Sequence, residues 1–304
     1  MAGVADVLAG RYRLEACIAV GGMGQVWRGR DLALCRPVAI KLMNDRYASD
    51  PEAPARFKAE ARYAGRLCHR GIAKVYDFCE NDRPFLVMEL VAGPSLAQVL
   101  GGGPLEPGRA LDVIAQVAWA LQAAHSAGIV HQDVKPANLV VGPGGLVKLT
   151  DFGIACRSGS VPVNWAGMIS GTSAYLAPER LAGGRAIPAS DLYSLGVVLY
   201  ECLSGARPFT GTALEIALAH QLREPPPLPA SIPMAVTRLV ADLMSKDSQG
   251  RPGNAASVAV RAARLRDQLE TSNAANVADE TGWRSWAREA TLAVVGPTLA
   301  DVFA

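Results

Sequence analysis

Apolar and polar residues alternate along the first ninety positions in two different rhythms. Tyr12, Leu14, Ala16, Ile18 and Val20 recur at every second position, which predicts a half-buried strand. The glycines from Gly21 to Gly24 then predict a tight turn, and residues 25–29 return as a second strand. Residues 38–43 predict a third strand, and 75–79 and 85–91 two more. Between them Phe57, Ala61, Ala64 and Leu67 fall near a 3.6 period, so 53–67 reads as one amphipathic helix. Ala92-Gly93-Pro94 breaks the chain, and the rhythm changes. Helical patterns cover 95–100, 109–126, 189–203, 213–221, 234–244 and 254–269, with a small hairpin formed by 139–141 and 147–150 around Gly142 to Gly145. The expected class is α+β: a small antiparallel sheet with one main helix (11–91), then a larger, mostly helical part (92–269), hinged near residues 89–93. Residues 1–10 read as an extension. Residues 270–304 read as a polar linker and a short tail, in which Trp283, Trp286, Ala290 and Leu292 could line one face of an amphipathic helix.

Composition narrows the function classes. The chain has 304 residues, 50% hydrophobic and 19% charged, enough to bury a large core without disulfide staples. A net charge of +2 gives no reason to expect nucleic acid as a partner. The six cysteines are irregularly spaced and include no CxxC pair, which fits reduced thiols in the cytoplasm. Cys68-His69 lacks the second pair that a metal site needs. No basic region precedes the short apolar stretch at the N-terminus, so it does not read as a signal peptide. The uncharged run 290–300 is too short for a bilayer, so no transmembrane segment is expected.

Four segments carry chemistry. The glycine turn Gly21-Gly22-Met23-Gly24, followed by Gln25 and Val26, lets backbone N–H groups approach phosphate oxygens. It joins two strands rather than a strand and a helix, which argues against a dinucleotide-binding fold. Lys41 shares a strand face with Ala39, opposite Val38, Ile40 and Leu42; a lysine in so apolar a strand needs a paired carboxylate, and Glu60 in the following helix offers one. The third segment is His131-Gln132-Asp133-Val134-Lys135-Pro136-Ala137-Asn138, between a helix and the hairpin; the fourth is Asp151-Phe152-Gly153, after the hairpin. Gly171-Thr172-Ser173-Ala174-Tyr175-Leu176-Ala177-Pro178-Glu179, Asp191-Leu192-Tyr193-Ser194-Leu195-Gly196 and Arg251-Pro252 complete an ordered set.

This set resembles the eukaryotic-type protein kinase family, and most of all its bacterial serine/threonine kinases, over residues 11–269. The resemblance implies the two-lobed kinase fold, ATP and Mg²⁺ (Mn²⁺ possible) as cofactors, and a protein substrate with a serine or threonine acceptor. It implies catalytic roles for Asp133, Lys135, Lys41 and Glu60: Asp133 toward the acceptor hydroxyl, Lys135 toward the γ-phosphoryl group, and Lys41 toward the α- and β-phosphates with Glu60 as its ion-pair partner. Nucleotide contacts are implied for Val20, Gly21, Gly22, Met23, Gly24, Val26 and Ala39. Glu89 and Val91 would meet the adenine at the hinge, behind Met88 as gatekeeper, and Asn138 and Asp151 would hold the metal. Thr172 would face the substrate, Glu179 would pair with Arg251, and Asp191 would brace the catalytic loop. A regulatory partner or a dimer through the N-terminal lobe or the tail would also fit.

Two positions depart from the family pattern. Ala19 stands where a first glycine is usual, and Gln132 stands where an arginine usually binds a loop phosphate. A neutral amide cannot make that charge-assisted pair. The loop 154–170 contains Ser158, Ser160 and Ser170 and no threonine, so activity is expected not to depend strictly on loop phosphorylation. The alternative reading is a pseudokinase, a nucleotide-binding scaffold on the same fold.

Overall fold

The computed structural model describes residues 6–21, 24–43, 53–80, 84–152 and 172–274. In chain order the elements are β1 (Val7–Leu8), β2 (Tyr12–Gly21), β3 (Gly24–Asp31), β4 (Arg36–Met43), α1 (Ala53–Ala64), β5 (Val75–Cys79) and β6 (Phe85–Glu89). Then follow α2 (Leu96–Leu100), α3 (Pro107–Ser126), β7 (Leu139–Val141), β8 (Val147–Leu149), α4 (Pro178–Leu181), α5 (Pro188–Ser204), α6 (Ala213–Leu222), α7 (Met234–Leu243) and α8 (Ala255–Ala274). The first six strands form one antiparallel sheet in the order β1-β2-β3-β4-β6-β5.

The period-2 pattern of β4 decides what the sheet covers. Val38, Ile40 and Leu42 join Tyr12, Leu14, Trp27, Phe85 and Val87 in one core layer. Ala39 and Met43 join Phe57 and Ala61 of α1, with Leu86 and Met88, in the other. Lys41 lies on this second face and is buried. In β2 the alternation holds only at its start. The register shifts between Leu14 and Ala16 and again between Cys17 and Ala19. Tyr12 and Leu14 are buried, while Ile18, which the second shift leaves without a partner, is 52% exposed, and Val20, beside the glycine turn, is 76% exposed.

The helical lobe is built around α5, most of whose side chains are buried, and around the pair α3 and α8. Ser95 and Gln98 cap the start of α2 reciprocally, and Gly205 ends α5 with a left-handed residue. The β7–β8 hairpin buries Leu139, Val141, Val147 and Leu149 against this lobe.

Several boundaries shift by one or two residues, such as the end of β6 at Glu89 rather than residue 91, and three elements differ by more. β1 lies within the segment read as an extension, and two residues are too few to show a period. α1 stops at Ala64, before Leu67, because Gly65 follows it. α8 runs to Ala274, so Thr271 to Ala274, read as linker, is helical. The tail residues Trp283, Trp286, Ala290 and Leu292 lie outside the described residues.

One glycine fixes the junction between the lobes. Gly93 has φ of +132°, and a Cβ there would sit 2.1 Å from the Val141 carbonyl oxygen. Gly93→Ala is therefore expected to cost about 3 kcal/mol or more through strained φ and a backbone clash. A urea melt unchanged from wild type would refute this.

Candidate active site

Five buried or half-buried polar side chains converge where the two lobes meet. Asn138 ends a short turn, Pro136–Asn138, and its Nδ2 donates to the Asp133 backbone carbonyl and to Asp133 Oδ2, both at 2.9 Å. Lys135 Nζ lies 2.8 Å from the same carboxylate oxygen. Asp133 is thus oriented from two sides, yet its side chain keeps 23% of its surface open. Lys41 reaches from β4 to Asp151 Oδ1 at 3.1 Å. Burial alone would push the Asp151 carboxyl up; the Lys41 ammonium, aided by Lys135, outweighs it and holds the group below the ordinary carboxylate range.

The loop carrying Asp133 is braced from beneath. Asp191, buried in the first turn of α5, accepts from the His131 N–H at Oδ2 and the Gln132 N–H at Oδ1, both 2.8 Å. His125, at the end of α3, donates from Nε2 to Asp191 Oδ2 at 2.7 Å. These bonds hold Gln132 at φ of +71°, a costly conformation for a residue with a Cβ. His131 Nε2 donates to the Thr150 carbonyl (3.0 Å), so Nδ1 is the acceptor for the Asp133 N–H (3.2 Å). Burial depresses the His131 imidazole, which suits this neutral tautomer, and its ring packs on Phe152 with centroids 4.6 Å apart.

The hinge is tied to the lower lobe through a side chain. Lys148 of β8 donates to Glu89 Oε1 at 2.6 Å, and the Lys74 N–H donates to Glu89 Oε2 at 3.2 Å. Met88 is buried at the back of the site, beside Ala39, while Val26 and Leu90 pack against the same cluster. Val91 is half-buried just past the end of β6. Gly21 and Gly24 end β2 and open β3 as a pair. Gly22 and Met23 lie outside the described residues, as do the loop serines. Glu60 lies on α1 and Thr172 in the turn Thr172–Tyr175; nothing is described of either side chain.

Glu179 of α4 makes a bidentate pair with Arg251, two contacts of 2.8 Å, and Ser190 Oγ donates to Glu179 Oε1 at 2.7 Å. Lys148, His125 and Lys74 were not legible from the sequence. His125 and Lys148 act across 66 and 59 positions and Lys74 acts through its backbone N–H, and only the polar position of Lys148 between Val147 and Leu149 hinted at a partner.

The oxygen donors fit a hard divalent cation. Asp151 Oδ1 is sealed from solvent, and among the described residues its contact is the Lys41 ammonium. Both described bonds of the Asn138 side chain use Nδ2, leaving its carbonyl oxygen for a ligand.

Comparisons with known proteins agree with this geometry. The protein kinase domain model matches residues 12–262. The serine/threonine-protein kinase PknA of Mycobacterium tuberculosis is 48% identical over 274 residues, spanning 86% of this chain and 64% of PknA. PknL of the same species is 40% identical over 269 residues, spanning 86% of this chain and 67% of PknL. The crystal structure of the M. tuberculosis PknI kinase domain superposes with a TM-score of 0.69 at 26% identity, covering 88% of this chain and 99% of that one. Fold and site therefore define a protein kinase domain, and the chain belongs to the protein kinase family. Within it, the chain groups with the bacterial Hanks-type kinases, the branch of PknA and PknL. It spans just under two thirds of PknA's length. No helix among the described residues is long and apolar enough to cross a membrane.

Proposed function

We propose that the chain is an active protein serine/threonine kinase that transfers the γ-phosphoryl group of ATP to serine or threonine hydroxyls of proteins. The observation that carries this reading is the Asp133 carboxylate, oriented by Lys135 and Asn138 on a loop that Asp191 holds rigid. Mg-ATP, when bound, supplies the phosphoryl group. Asp151 and Asn138 would hold the metal, Lys41 the phosphates with Glu60 as its partner, and Glu89 and Val91 the adenine. Asp133 accepts the acceptor's hydroxyl proton, and Lys135 sits beside it to neutralise charge that develops during transfer. Apolar side chains at Val20, Val26, Ala39 and Met88 suit the adenine faces.

Five cysteines among the described residues, Cys17, Cys35, Cys68, Cys79 and Cys202, are unpaired, which together with ATP use supports a cytoplasmic catalytic domain. Gln132 supports activity that does not require a phosphorylated loop, since its side chain offers no positive charge.

The test is to incubate wild type and Asp151→Asn with Mg-ATP and map phosphosites by mass spectrometry. Phosphoserine or phosphothreonine in wild type alone is expected. Nucleotide binding with no transfer by wild type, even to a generic basic protein, would establish the scaffold reading instead. A variant with Ser158, Ser160 and Ser170 all changed to alanine is expected to keep its activity; a large loss ends the claim of loop independence.

A further inference from the structure

The turn Thr172–Tyr175 is held at two of its own carbonyls. Ser194 Oγ donates to the Tyr175 carbonyl at 2.7 Å. The Ala174 carbonyl is 3.0 Å from His220 Nε2, a side chain of α6 with 0% exposure. A carbonyl only accepts, so His220 carries its proton on Nε2. Nδ1 is then the acceptor for the Tyr193 hydroxyl, 2.9 Å away. The imidazole is wedged edge-on between Tyr193 and Phe209, with centroids 5.7 and 4.9 Å apart. Burial, aided by the Lys246 ammonium and opposed by the bond to Ala174, holds the imidazole down at about 4. Near neutral pH the ring is therefore one fixed tautomer with both nitrogens used.

The brace of the catalytic loop, one donor to this turn and the residue that orients the other donor come from one stretch of α5. Asp191 holds the His131 and Gln132 N–H groups, Ser194 holds Tyr175, and Tyr193 orients His220 onto Ala174. The spacing between the Asp133 loop and the Thr172–Tyr175 turn is thus set by three residues within four positions of α5, with His220 of α6 closing the clamp from outside.

We propose that His220 is a positioning residue for the protein acceptor: by fixing Ala174, it holds the substrate-facing turn in register with Asp133. This rests on the kinase reading above. A plain core histidine would matter only for stability. A positioning residue affects use of the acceptor more than use of ATP.

The experiment compares wild type, His220→Ala and His220→Gln with a basic protein as acceptor, reading KM and kcat for acceptor and for ATP, with thermal melts alongside. His220→Ala is expected to lower kcat/KM for the acceptor about tenfold, the scale of one lost buried hydrogen bond. The ATP KM should stay unchanged. His220→Gln, whose amide can still donate to Ala174, is expected to recover most of the loss. If neither variant folds, Tyr193→Phe decides: it removes only the hydroxyl that orients the ring, and a raised acceptor KM is expected. Equal losses toward ATP and acceptor, no rescue by glutamine, or an unchanged acceptor KM in a folded variant overturns the proposal. An inactive wild type would instead overturn the kinase reading itself.

Discussion

Asp133→Asn is expected to lower kcat by about 10²- to 10⁴-fold, the range that a positioned general base contributes. The substitution is nearly isosteric. An asparagine carbonyl can still accept from Lys135 Nζ and from Asn138 Nδ2, the two contacts that orient Asp133 at 2.8 and 2.9 Å. What it loses is a carboxylate able to take a proton. Because Lys41, Asp151 and the glycine turn are untouched, the ATP KM should stay close to that of wild type. Steady-state rates at saturating ATP and acceptor give the answer. A loss smaller than about tenfold would mean that proton transfer to Asp133 is not a major part of the barrier. A large rise in ATP KM would mean that the residue also shapes the nucleotide site.

The placement of Asp133 was readable in advance because the side chains that contact it, Lys135 and Asn138, are local. The loop 131–138 lies in one continuous stretch, and the alternation of β4 alone placed Lys41 on the face that α1 covers. Residues whose work depends on tertiary closure were not readable from periodicity; Asp191 and the Glu179–Arg251 pair were expected only through the family resemblance. His125 and Asp191 are 66 positions apart, Lys148 and Glu89 are 59, and His220 and Ala174 are 46. No periodicity connects such pairs. The exposure of Ile18 was missed for a different reason: a register shift in β2 takes it out of the pairing that a simple period of two assumes. The extra turn of α8 was missed because Thr271 to Ala274 are small and polar, and local composition outweighed continuity with the helix before them.

The largest expected loss of stability comes from the Glu179–Arg251 pair. The Arg251 side chain is fully buried, and its N–H groups also reach the carbonyls of Ala189, Ser245 and Lys246. Glu179→Ala would strand that guanidinium charge, at an expected cost of about 3 kcal/mol, the low end for halving a buried pair because Glu179 keeps some exposure. Arg251→Ala should cost more, since it also removes the bonds to three carbonyls. Replacing both residues with apolar ones should cost less than the two single losses added together, because no charge is then left behind. Urea melts of the two single variants and the double variant close this cycle. Simple additivity would show that the pair is not coupled. Acid should weaken the same link. Burial alone would raise the Glu179 carboxyl, but the bonds from Arg251 and Ser190 hold it below the ordinary range. Its contribution is therefore full above the unfolded carboxylate's value and is lost as pH falls through the lower folded one. The damage should reach catalysis, because Arg251 holds Ala189 and Ser190 holds Glu179, just before Asp191 in α5. A folded Glu179→Ala enzyme should thus lose transfer rate along with stability, although neither Glu179 nor Arg251 is expected to touch ATP or the acceptor.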